Sequence, residues 1–156
     1  MRRSERQVTD LKEIRDIIDT CKVMRIGLQD QEGLYVVPVN FGYSMTEDGG
    51  VSVYLHSAKE GRKAAALYGQ KEVAVEMDCS HELVEAGQPC NYSYLYRSLI
   101  GTGISRSIEE TEEKKAALNQ IMLHQSGKTF DFPDAAADNV AVFEIPLNSY
   151  TVKQHR

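Results

Sequence analysis

The chain has 156 residues, 42% hydrophobic and 26% charged, with a formal net charge of −5. That length suits a single domain over residues 1–156, able to bury roughly two thirds of its unfolded surface. The acidic balance and the lack of a basic stripe with interleaved aromatics exclude nucleic acid as the expected partner. No apolar run approaches the ~20 residues that cross a bilayer, so no membrane partner is expected. The basic start, Met1-Arg-Arg-Ser-Glu-Arg6, leads into no apolar signal core. Cys21, Cys79 and Cys90 are odd in number and sparse. They suit a reducing compartment, and the expected location is the cytoplasm.

In chain order, residues 10–21 read as a helix. Asp10 caps it with Glu13 three positions on, and Leu11, Ile14, Ile17, Ile18 and Cys21 fall at helical spacing. Strands follow at 23–28 and, after a turn at 29–33, at 34–43. Pro38 stands in the middle of the second and has no N–H for a ladder, so that strand needs an edge, a bulge or a ligand beside it. Residues 46–50, Thr-Glu-Asp-Gly-Gly, close a hairpin into a strand that alternates Val51, Val53 and Leu55 with polar residues and ends at His56. A polar stretch then opens into an alanine-rich helix over 62–68, and 72–78 is another alternating strand.

Residues 79–93 are polar and read as irregular. Residues 97–106 return to strand, with Gly101 and Gly103 on one face, where a ring or another backbone can lie close. A second long helix is expected from Ser107, with Glu110 completing a capping box and able to pair with Lys114; Ala117, Leu118, Ile121 and Met122 form its core face. Residues 140–145 make a final long strand and 151–153 a short one. Hairpin connections and few helical crossovers favour a mostly antiparallel sheet closing into a small barrel. Gly101-Thr-Gly103 lacks the third glycine of a dinucleotide fingerprint and opens into no helix.

The stretch from strand to helix carries the densest chemistry. Ser57, Lys59, Arg62 and Lys63 fall within seven positions. Hydroxyl, bases and the free N–H groups of a helix start together suit a phosphate, although a capped surface loop has the same composition. His56 ends the strand beside this loop and is a candidate proton donor; a histidine bonded to a backbone carbonyl is the alternative. Cys79, His81, Glu82 and Cys90 lack the paired arms of a zinc site, and Cys79 with His81 lacks an oxyanion-hole motif, so no metal is expected. Tyr92, Tyr94 and Tyr96 alternate along one strand face, most simply as packing.

Five motifs occur in register: Met1-Arg-Arg-x-x-Arg6, Val36-Val-Pro-Val-Asn-Phe-Gly-Tyr43, Tyr54-Leu-His-Ser-Ala-Lys-Glu-Gly-Arg-Lys63, Asp78-Cys-Ser-His-Glu-Leu83 and Tyr96-Arg-Ser-Leu-Ile-Gly101. Together they resemble the pyridoxamine 5'-phosphate oxidase-like, FMN-binding split-barrel proteins, within them the 5-nitroimidazole resistance (Nim-type) branch, over nearly the whole chain. The resemblance implies a mostly β fold with flanking helices, a split antiparallel β-barrel that dimerises with flavin at the interface. It implies FMN, with FAD as an alternative. Val37, Pro38, Val39 and Asn40 would line the ring, Ser57, Arg62 and Lys63 would hold the phosphate, and His56 would lie over the ring near the reacting atoms. Residues matching 96–101 would complete the partner subunit's pocket.

The C-terminal part shows no substrate-phosphate set, which argues against vitamin B6 oxidation. Fold and cofactor also do not fix the substrate. The expectation is an FMN-dependent oxidoreductase that takes electrons from a donor and reduces small electron-poor compounds such as nitroaromatics. The alternative is a flavin- or haem-binding module without turnover, for which no axial-ligand motif selects between His56 and His81.

Overall fold

The computed structural model describes residues 3–69 and 71–156; Met1 and Arg2 of the opening motif lie outside the described residues. A two-residue strand, β1 (Gln7–Val8), precedes helix α1 (Leu11–Thr20). The helix starts as expected, with the Asp10 carboxylate accepting from the Glu13 N–H at 2.9 Å. There follow β2 (Met24–Asp30), β3 (Gly33–Val39), β4 (Gly42–Met45), β5 (Val51–Ser57) and helix α2 (Arg62–Leu67). The second half runs β6 (Glu72–Val84), β7 (Ser93–Ile104), β8 (Arg106–Ile108), α3 (Thr111–Ser126), α4 (Asp134–Asp138) and β9 (Ala141–His155). Among the described residues no helix is long and apolar enough to cross a membrane.

The strands are antiparallel in the order β3-β2-β6-β7-β9-β5-β4, with β1 and β8 also paired to β9. The two ends of that order, β3 and β4, are consecutive in the chain and are joined through Asn40 and Phe41. The sheet therefore bends round until its edges meet without pairing, which is a split antiparallel barrel. Alternation fills it: Met24, Ile26 and Leu28 of β2, with Val73, Val75 and Met77 of β6, are buried with Phe41 and Phe143. Each such side chain contributes about 1.5–3 kcal/mol of burial free energy. Helix α1 packs on β6 and β7, and α3 on β4 and β5.

Pro38 sits on β3, an edge strand paired only to β2, so its missing N–H leaves no ladder position empty. Gly101 and Gly103 receive another backbone: a Cβ at Gly103 would lie 2.3 Å from the Pro146 carbonyl oxygen of β9.

Four element boundaries and one side-chain pairing differ from the sequence reading. The expected strand over 34–43 is two, because the chain must leave the β2 edge to pair with β5 on the other side. The irregular stretch 79–93 is partly ladder: β6 continues to Val84 through a bulge between Cys79 and Glu82, where Ser80 takes φ 57°. The two C-terminal strands are one, β9, which serves β5 and β8 with its first half and β7 and β1 with its second. Ser107 caps no helix, since residues 106–108 pair with β9; Glu110 itself is the N-cap of α3, accepting from the Glu112 and Glu113 N–H groups at 3.0 and 2.8 Å. Lys114 donates to the Val140 carbonyl at 3.2 Å in place of the expected pairing with Glu110.

Candidate functional site

Strand β5 delivers His56 and Ser57 at its end, and four residues later Gly61, at φ 115°, turns the chain into α2. A positive φ there is costly for any residue with a Cβ, so glycine lets the helix start close behind the strand. The first turn of α2 carries Lys63 back toward β5. Lys63 is half-buried, and burial pushes its pKa below the ordinary lysine value. It makes no ion pair or hydrogen bond with another described residue. The His56 pKa is also lowered, first by partial burial of the ring and then by the charge of Lys63. Ser57 is buried, and no described residue hydrogen-bonds its hydroxyl.

A half-buried ammonium that no described acid neutralises is an incomplete arrangement that an anion would complete. The donor set fits a phosphate.

Arg62 points elsewhere. Its guanidinium grips Asp30 through Nε and Nη2 at 2.7 and 3.0 Å, reaches Glu32 at 3.6 Å and stacks over Tyr35 at 4.0 Å from the ring centroid. The Asp30 carboxyl is held below its ordinary pKa chiefly by that guanidinium. Adjacent in sequence, Arg62 and Lys63 thus have separate surroundings: the first is neutralised by the β2–β3 turn, the second by no described acid.

The other expected residues lie at the split. Val39 is buried, while Val37 and Pro38 occupy the edge strand. Asn40 donates through Nδ2 to the Lys22 carbonyl at 3.2 Å and to Gln125 Oε1 at 3.3 Å. The β4–β5 ladder begins at Gly42, paired with Tyr54, two residues after Asn40 and two before His56.

Three features escaped the sequence reading. Gln125 braces the crossing, donating to the Lys22 and Phe41 carbonyls at 3.1 and 2.9 Å. The acidic turn captures Arg62. A cavity of about 600 Å³ lies behind Asn40, between α1, β4 and the last turns of α3, lined by Arg15, Lys22, Tyr43, His124 and Gln125 among others. Helical spacing from Ala117 through Ile121 to His124 was a signal that His124 faces inward. The zinc alternative assembles nothing: His81 Nε2 lies 2.7 Å from Asp78, Cys90 is exposed, and no group of described His, Cys, Asp and Glu residues could hold a metal ion.

An antiparallel barrel split at the β3–β4 crossing, with the half-buried Lys63 set behind the end of β5, defines the class to which the comparisons point. The pyridoxamine 5'-phosphate oxidase family matches residues 10–154, so the chain belongs to that family, and its likeness to the first structure below sets it with the Nim-type members. That structure is from Bacteroides thetaiotaomicron and is provisionally named a 5-nitroimidazole antibiotic resistance protein; identity is 36%, coverage 95% of this chain and 86% of the other, and the TM-score 0.80.

An FAD and heme binding protein from Mycobacterium smegmatis shares the fold at 16% identity, covering 97% of this chain and 74% of its own, with TM-score 0.82. The flavocytochrome Anf3 from Azotobacter vinelandii does so at 18% identity, covering 100% and 72%, with TM-score 0.80. No curated protein matches.

Proposed function

We propose that the chain is a flavoprotein that binds FMN and reduces small, flat, electron-poor compounds, nitroaromatics among them. The observation that carries this reading is Lys63: a half-buried cation that no described acid neutralises, its charge felt by His56 at the end of β5, inside a family of flavin-binding barrels. Bound FMN would supply the two-electron chemistry. Lys63 and Ser57 would hold the phosphate, and Val37, Pro38, Val39 and Asn40 would lie along the ring, with Arg62 fixing the loop through Asp30.

His56 would deliver a proton to the reduced substrate. A phosphate that neutralises Lys63 removes one cause of the low His56 pKa, leaving the imidazole better protonated when the site is filled. Haem ligation is the weaker reading, because Asp78 already holds His81 Nε2 and His56 stands beside a cation.

A homodimer is part of the proposal. One outer face of the sheet carries Leu34 and Val36 on β3 and Ile100 on β7, which are 81%, 66% and 56% exposed. The registers align Pro38, Arg25, Glu76 and Ile100 in one row across four strands, and Val36, Gly27, Ala74 and Thr102 in the next. A two-fold partner laid on this face would cover its apolar side chains.

The test is the absorption spectrum and mass of the purified protein. Yellow protein that releases FMN on denaturation and scatters light as a dimer supports the reading. A colourless protein that takes up no FMN on titration sinks it.

A further inference from the structure

Beneath the C-terminal end of α1, two cysteines from distant parts of the chain meet at one carbonyl. The Cys21 N–H donates to the Ile17 carbonyl at 3.1 Å, and Cys79 Sγ donates to the same oxygen at 3.9 Å. The Cys79 thiol also adds to burial in raising the Cys21 pKa. Cys21 is 1% exposed, whereas Cys79 is partly open to solvent at the start of the β6 bulge. Across the ladder from Cys79 stands Arg97, which donates to Asp16 at 2.6 Å while its Nε is buried with no acceptor among the described residues. Cys90 is exposed in a 3-10 turn, Pro89–Asn91.

We propose that Cys79 and Cys21 form a redox pair that reacts with hydroperoxides and closes to an intramolecular disulfide. Cys79 is the attacked residue because it alone of the two is reached by solvent. Its sulfur displaces the alcohol or water of the hydroperoxide, O–O breaking as S–O forms, and becomes a sulfenic acid. That new oxygen is an acceptor placed across the strand from the orphaned Arg97 Nε–H. The Cys21 thiol then attacks the Cys79 sulfur, S–S forms, and the oxygen leaves as water with the two thiol protons accounted for. One hydroperoxide is reduced by two electrons and two thiols are oxidised by two.

Burial and the neighbouring acids keep the Cys21 thiol protonated, so it is poorly oxidised directly; as S–S forms its proton passes to the oxygen leaving the adjacent Cys79 sulfur. Such a bond would tie α1 to the bulge beside the Lys22 carbonyl that holds Asn40. It needs no flavin.

The experiment uses the full chain carrying Cys90→Ser, treated with hydrogen peroxide, quenched with an alkylating reagent and read by mass spectrometry without reduction. The expected result is a loss of two hydrogens, a peptide linking positions 21 and 79, and full reversal by dithiothreitol. Adding Cys21→Ser should leave Cys79 as a sulfenic acid that dimedone traps, and adding Cys79→Ser should leave Cys21 unoxidised at the same dose. If the chain retaining both cysteines shows no 21–79 bond, the proposal is overturned, whether Cys79 stays reduced or runs on to sulfinic acid. That measurement needs neither variant to fold.

Discussion

Lys63 sets its charge against His56 while no described carboxylate neutralises it. Burial alone lowers the Lys63 pKa, whereas the Lys63 charge adds to burial in lowering that of His56, an effect that a bound dianion would relieve.

The first consequence concerns ligand discrimination. Lys63→Ala should weaken FMN far more than riboflavin, since riboflavin lacks the phosphate. A charge-assisted contact contributes about 1.5–3 kcal/mol, or roughly tenfold to a hundredfold in Kd. Isothermal titration with both flavins checks this, and equal losses would place Lys63 away from the phosphate.

His56 should titrate higher when the site is filled. In the free chain burial and Lys63 hold it below the ordinary 6.5, and FMN removes the second cause. NMR titration of the imidazole with and without FMN reads the shift, and an unmoved value with FMN bound would separate His56 from the phosphate. His56→Ala should also slow reduction of a nitro substrate by ~10²–10⁴-fold per bound FMN, the usual size of general-acid assistance. Reduction of bound FMN by dithionite should stay near wild type.

Arg62 behaves differently from its neighbour. Its ion pair with Asp30 is exposed, and such pairs contribute about 0–1 kcal/mol. Arg62→Ala should therefore lower Tm slightly and cost less FMN affinity than Lys63→Ala. An Arg62 variant that loses FMN more severely would show that the guanidinium leaves Asp30 for the phosphate on binding.

Acid should unfold the protein partly through His124. Its Nε2 donates to the Cys21 carbonyl at 2.7 Å, its ring packs 4.5 Å from that of Phe41, and burial lowers its pKa below 6.5. The unfolded chain then takes the proton more readily, so this stabilisation is complete above pH 6.5 and is lost as pH falls toward the lower folded value. The slope for one proton is at most about 1.4 kcal/mol per pH unit. Tm measured across this range should fall less steeply in His124→Gln, and an unchanged slope would assign the acid sensitivity to other groups.

The barrel was legible because its signals are local. Alternation gave Val51, Val53 and Leu55, Asp10 and Glu13 gave the start of α1, and Pro38 marked an edge. Misread boundaries have non-local causes. Asn40 and Phe41 look like mid-strand residues, and only the change of partner from β2 to β5 breaks the strand there. Ser107 has the residue type of a cap, yet its ladder with Phe143 holds it in β8. At the site, the basic loop was visible as composition. What divides Arg62 from Lys63 was not, since Asp30 and Glu32 lie thirty positions away and approach only when the β2–β3 turn folds over α2.

Strand β9 has a consequence for how the chain comes off the ribosome. It bridges β5, β7 and β8 and also seats β1, with Gln7 opposite Lys153. A nascent chain that has exposed everything up to α4 holds hairpins and helices but lacks the stave that joins them. Closure must wait for synthesis of residues 141–155, and contacts of such long sequence separation form slowly. In that interval the edges of β5 and β7 stand open, so chaperone dependence should concentrate late in translation, and arrested chains lacking β9 should be the species prone to aggregate.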